Sequence, residues 1–163
     1  MAVASSLDNS PDTTQDAAAR AYRLLGGRKV LRRSVQSALD AHDLILEGLP
    51  SDALLQLIEG AQVLSRGDAL EKAIGMSIRT FQRRKKDAPG SQLSTEQSSR
   101  TWRFAEILAR AMGVMGSKQA AESWLESPAI GLDNRRPIDL LASTAGAEAV
   151  ETYLLQMEYG VYV

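Results

Sequence analysis

Cysteine is absent from the 163 residues, and histidine occurs once, at His42. Without cysteine there are no disulfides and no thiolate metal sites, which fits a reducing cytoplasm. With a single histidine, a metal would have to be held by carboxylates alone, and none of them falls into a ligand spacing. No nucleophile stands near a base, so an enzyme is not expected. Gly113 and Gly116 fit neither the phosphate-loop nor the dinucleotide pattern, and no cofactor is expected. No apolar run approaches the roughly 18 residues that cross a bilayer, so no membrane partner is expected either. The first twenty residues lack the basic start and apolar core of a signal peptide. Residues 1–15 are polar and aperiodic and read as a disordered tail. Alternating β-branched residues, the mark of strands, are nearly missing.

What remains is the vocabulary of helices: alanine, leucine, glutamate, arginine and glutamine. A first helix is expected from about Asp16 to Leu25, stopped by Gly26 and Gly27. A second is expected from Arg33 to Glu47, burying Val35, Leu39, His42 and Leu46, with His42 in a partly buried structural role. Pro50 breaks the chain and Ser51 is placed to cap the next helix, whose buried stripe is Leu54, Leu57, Ile58 and Ala61. Two short helices follow, joined at Gly75 and Met76. Ser94 and Gln97 form a capping box. The long helix beyond them puts Trp102, Ala105, Leu108, Ala109 and Met112 on one face, and both Trp102 and Trp124 read as core residues. Its apolar arc is wide enough for burial within the protein or for a dimer. Pro137 suits a first helical position, and a last helix is expected over Ala147–Glu158. Arg135 and Arg136 read as a solvated loop or as partners of Asp139.

The chain carries a formal net charge of −1, yet every charged residue from Ser77 to Lys86 is a cation. With the helix before it, this stretch has the form of a helix-turn-helix. Gly75 supplies the turn, Ser77 the cap, and Leu70, Ile74, Ile78 and Phe81 a small core. The outer side carries Arg79, Thr80, Gln82, Arg83 and Lys86. In this motif the second helix enters the major groove of double-stranded DNA. Arg79 and Gln82 suit base edges; Arg83, Arg84, Lys85 and Lys86 suit phosphates. A solvated basic helix is the plain alternative. Glu71 stands where the motif usually has a small residue at the helix crossing.

From Asp139 to Val163 there is no lysine or arginine, while Asp139, Glu148, Glu151 and Glu158 are acidic. Two surfaces of opposite sign point to two partners. Tyr159, Val161 and Tyr162 fit either packing on their own domain or anchoring an interface.

The C-terminal stretch resembles the toxin-binding domain of the Xre/MbcA/ParS antitoxins. The resemblance is carried by Trp124, Leu125, Pro128, Leu132, Pro137, Leu140, Leu141, Thr144, Gly146, Val150, Leu154 and the pair Tyr159–Gly160. Upstream, Gly48–Pro50 and Ser77–Arg84 are similar to that family's Xre-like helix-turn-helix. Asn134 stands where the family usually has glycine, as asparagine does where φ is positive.

The resemblance implies an all-α protein. A helix-turn-helix domain within 16–104 would be followed by a small helical toxin-binding domain over 105–163. It implies an antitoxin that neutralises a RES-domain toxin consuming NAD and that binds operator DNA to repress its own operon. The DNA-binding set is then Ser77, Arg79, Thr80, Gln82, Arg83, Arg84, Lys85 and Lys86. The toxin-binding set is Glu151, Leu155, Glu158, Tyr159, Gly160, Val161, Tyr162 and Val163, an acidic plug for a cationic nucleotide pocket. A homodimer matches a two-fold operator. The alternative is a stand-alone repressor whose C-terminal domain only dimerises.

Overall fold

Five serines set the starts of five helices, each hydroxyl accepting a bond from a backbone N–H three residues on and satisfying an amide the helix leaves orphaned. The computed structural model describes residues 13–160. The described residues open with α1 (Thr13–Leu24) and a short α2 (Gly27–Leu31). Ser37 then caps α3 (Ala38–Glu47), and α4 (Ser51–Gly60) leads into a 3-10 turn over Gln62–Ser65. Next come α5 (Ala69–Ile74) and the Ser77-capped α6 (Ile78–Asp87). Ser94 caps α7 (Thr95–Met115) and Ser117 caps α8 (Lys118–Leu125). A second 3-10 turn (Ile130–Leu132) and α9 (Pro137–Leu140) precede α10 (Thr144–Glu158), capped by Ser143. Among the described residues there is no strand beyond two isolated bridges.

The expected helix from Arg33 to Glu47 is a correction. The backbone turns left-handed at Arg32 (φ 58°), leaves the helix, and restarts only at Ser37. The Tyr22 hydroxyl donates to the Arg33 carbonyl at 2.7 Å, and Asp40 completes a capping box with Ser37, so both sides of the break are satisfied. The face assigned to burial is also the wrong one. Leu39 is 74% exposed and Leu46 57%, and His42 is exposed too, whereas Ala41 and Leu44 point inward. Ser51 does not cap α4. Pro50 holds that position, and the Ser51 hydroxyl donates to the Ser91 carbonyl at 2.5 Å.

The core gathers around α7. Its capping box of Ser94 and Gln97 is present, and its side chains are buried on nearly every side, including Ser98, Thr101, Phe104, Ile107, Leu108 and Ala111. That wide apolar arc is therefore used inside the protein, against α1, α3, α5, α8 and α10. Trp102 is buried; Trp124 is half-buried at the edge, its ring 6.2 Å from that of Tyr153. The buried hydroxyl of Ser98 accepts the Leu49 amide at 2.8 Å, tying the start of α4 to the spine. Asn134 has φ 58°, the left-handed conformation expected where the family has glycine. Among the described residues no helix is long and apolar enough to cross a membrane.

Candidate nucleic-acid and partner interfaces

The helix-turn-helix assembles from its apolar positions. Leu70, Ile74 and Phe81 are buried, Ile78 is half-buried, and Met76 joins them. Gly75 takes φ +83°, and a Cβ there would stand 2.5 Å from Nη1 of Arg100. Arg100, reaching over from α7, donates to the carbonyls of Ala73 (3.1 Å) and Lys72 (2.5 Å). It thereby caps the C-terminal end of α5 with a cation, where the helix dipole favours one. Glu71 is exposed and does not sit between the helices.

Ser77 is half-buried; its hydroxyl accepts the Thr80 amide at 3.1 Å and lies 3.0 Å from the Thr80 hydroxyl. Arg79, Thr80, Gln82, Arg83, Lys85 and Lys86 are all exposed. Five of these, Arg79, Thr80, Gln82, Arg83 and Lys86, line one shallow groove together with Asp87. The arrangement presents cations and hydrogen-bonding side chains on one open helix face, as groove binding requires. Arg84 stands apart: it is half-buried and bonded back into the protein.

α10 lies along α7, burying Ala147, Val150 and Leu154. Glu151 accepts two bonds from Arg103, at 2.8 and 3.1 Å, and Glu158 accepts one from Arg110 at 2.9 Å. Between these pairs sits Glu106, which accepts Nε1–H of Trp102 at 2.5 Å. Burial pushes its carboxyl above the usual range, and the Trp102 bond opposes that. Two carboxylates expected to reach outward, those of Glu151 and Glu158, are therefore held by arginines of α7. The outer face of α10 carries Glu148, Thr152, Leu155 and Tyr159, the last 64% exposed. Gly160 follows, exposed, with φ +67°. Val161, Tyr162 and Val163 lie outside the described residues.

Asp139 is also paired. Arg136 donates to it through two nitrogens at 2.8 and 2.9 Å, and Lys72 on α5 donates at 2.6 Å. Arg136, then Lys72, hold its carboxyl well below the usual carboxylate range, against the opposing effect of burial. A folded-state pKa below the unfolded one contributes stability above about pH 4, lost as pH falls further. Asp139→Asn should therefore lower the melting temperature at pH 7, and the deficit relative to wild type should be smaller at about pH 3, shrinking further only as pH falls towards the strongly lowered folded-state pKa. Melting curves at the two pH values measure it.

These pairs, with the buried Glu122 carboxylate that accepts the Val63 amide at 2.8 Å and the Arg66–Glu126 bridge at 2.7 Å, tie the elements after α7 to α7 itself, to α5 and to the first 3-10 turn with the residue after it. The expected boundary between residues 104 and 105 falls inside α7. Arg103 and Arg110, missed in the sequence, did leave a signal. They are seven residues apart, as are Glu151 and Glu158, so two parallel helices pair them in register. Among the described residues no cluster of histidine, aspartate and glutamate could hold a metal.

Comparison with known proteins divides the chain at the same helix. The antitoxin Xre-like helix-turn-helix domain matches residues 40–106, and the antitoxin Xre/MbcA/ParS C-terminal toxin-binding domain matches residues 109–160. The chain is similar to an antitoxin Xre of Pseudomonas putida, 29% identical over 125 residues, or 76% of this chain and 74% of that protein. It is similar also to an antitoxin Xre of Yersinia enterocolitica, 30% identical over 92 residues, or 56% of this chain and 61% of that protein.

Proposed function

Because the chain belongs to the Xre/MbcA/ParS-type antitoxins, we propose that it neutralises a RES-domain toxin that degrades NAD, by laying the outer face of α10 and the residues after it over the toxin's active site. We propose also that α6 binds operator DNA and represses the protein's own operon. The observation that carries the toxin-binding reading is the exposure of Leu155 and Tyr159 on an α10 two of whose glutamates, Glu151 and Glu158, are already paired. The contact is then one of apolar and aromatic anchoring, not of an acidic plug in a basic pocket. Tyrosine suits such a surface, having an apolar ring with a polar end.

The test is co-expression of the toxin with a chain ending at Glu158. Glu158 is kept because it holds Arg110 and the end of α10. Cells carrying the truncated antitoxin should stop growing when the toxin is induced, while the full chain protects them. Protection by the truncated chain would refute occlusion by these residues.

A homodimer remains the arrangement that matches a two-fold operator. The apolar arc of α7 is consumed within the protomer, so the dimer would form elsewhere.

A further inference from the structure

We propose that Arg84 is a positioning residue for α6 and does not itself hold DNA. The inference rests on the reading of α6 as the DNA-binding helix. Five basic residues fall between Arg79 and Lys86, and four are exposed. Arg84 is turned the other way. Its Nη2 donates to the Gln92 carbonyl at 2.9 Å and its Nη1 to the Gln97 amide oxygen at 3.1 Å. That same oxygen accepts the Ser94 amide at 3.2 Å, so the guanidinium docks onto the capping box that starts α7.

Its anchor is firm at both acceptors. The segment carrying Gln92 is tied to the start of α4: the Leu93 amide donates to Leu49 O at 2.8 Å and the Ser51 amide to Ser91 O at 2.8 Å. The first turn of α6 has its own supports in Ser77 and the buried Phe81 ring. The last turn carries Lys85 and Lys86 and buries nothing, so Arg84 is what holds it to the body of the protein. Both acceptors are neutral, and two nitrogens in one plane reach both at once. A lysine ammonium, a single point on a flexible stem, does not reproduce that fork.

This separates geometry from charge in a measurable way. A cation on a phosphate contributes to the salt dependence of binding; a cation that only orients its helix does not. The experiment is fluorescence anisotropy with a labelled duplex from the region upstream of the gene, at several potassium chloride concentrations. Arg83→Gln should make the slope of log K against log salt shallower by roughly 0.9 per protomer. Arg84→Gln should bind roughly tenfold more weakly at every salt concentration with the wild-type slope. Arg84→Lys keeps the charge and should behave like Arg84→Gln. Wild-type affinity in either Arg84 variant, or a shallower slope in Arg84→Gln, would overturn the inference. If Arg84→Gln does not fold, Arg84→Lys decides alone. Wild-type protein that shows no salt-dependent binding would instead reject α6 as a DNA reader, and the inference with it.

Discussion

Gly146→Ala should destabilise the protein by about 3 kcal/mol, near the upper end of what overpacking costs, and lower its melting temperature by roughly 6–12 °C. The direction is the informative part. Gly146 lies in the first turn of α10 without a positive φ, and alanine there would ordinarily gain about 0.5–1 kcal/mol over glycine. Here an added Cβ would sit 2.0 Å from the carbonyl oxygen of Leu140, 2.9 Å from its carbonyl carbon and 3.1 Å from its Cα. All three are backbone atoms, so no rotamer change relieves the contact. Nor can α9 slide aside easily: it has four residues, starts at Pro137, and is held by Asp139 to Arg136 and Lys72. Separation of α9 from α10 is the expected response, and α10 carries the proposed toxin contact. Gly60→Ala is the control. Gly60 ends α4 with nothing within 4 Å of an added Cβ, so that change should stabilise by about 0.4–1 kcal/mol. Thermal melts of the two variants compare them directly. A Gly146→Ala protein as stable as wild type would contradict the close approach of α9 and α10.

Replacing Arg79, Arg83 and Lys86 together by glutamine should reduce DNA affinity by about a hundredfold or more near 100 mM salt, and flatten the salt dependence. The three side chains line one groove on α6 and are exposed. Their loss should change stability by no more than about 0.5 kcal/mol, as for surface substitutions in general, so binding can be read without a folding correction. The net charge of −1 provides little long-range pull towards DNA, so the local patch has to provide the attraction. Retained affinity in the triple variant would place the DNA contact away from α6.

Much of the helix-turn-helix was legible because its determinants are local. Gly75 needs a positive φ, Ser77 caps within three residues, and Leu70, Ile74, Ile78 and Phe81 meet across a single tight turn. The capping box of Ser94 and Gln97 was legible for the same reason. The misreading at residues 33–47 has an equally local cause. The stripe of Val35, Leu39, His42 and Leu46 has helical spacing, but Ala41 and Leu44 have it too. Only the position of α7 decides which stripe is covered. The break before Ser37 has a signal in Ser37 and Asp40, a weak one because aspartate stands where the capping box usually has glutamate or glutamine.

The pairing of the acidic residues near the C-terminus was illegible for a different reason. Charge along a chain has a sign but no address. Glu151 and Glu158 find their arginines 48 residues upstream, and Asp139 finds Lys72 67 residues away. The same holds for Arg84, indistinguishable in the sequence from Arg83 beside it. Composition and short-range spacing determined that the protein is helical, that it carries a helix-turn-helix, and where its caps and turns lie. Those features depend on torsion preferences and bonds closed within a few residues. Which carboxylates are neutralised, which arginine faces outward and which leucines stay in water were decided only by tertiary packing. Each depends on what another helix, folded from a distant stretch of chain, brings within about 3 Å, the range over which hydrogen bonds act.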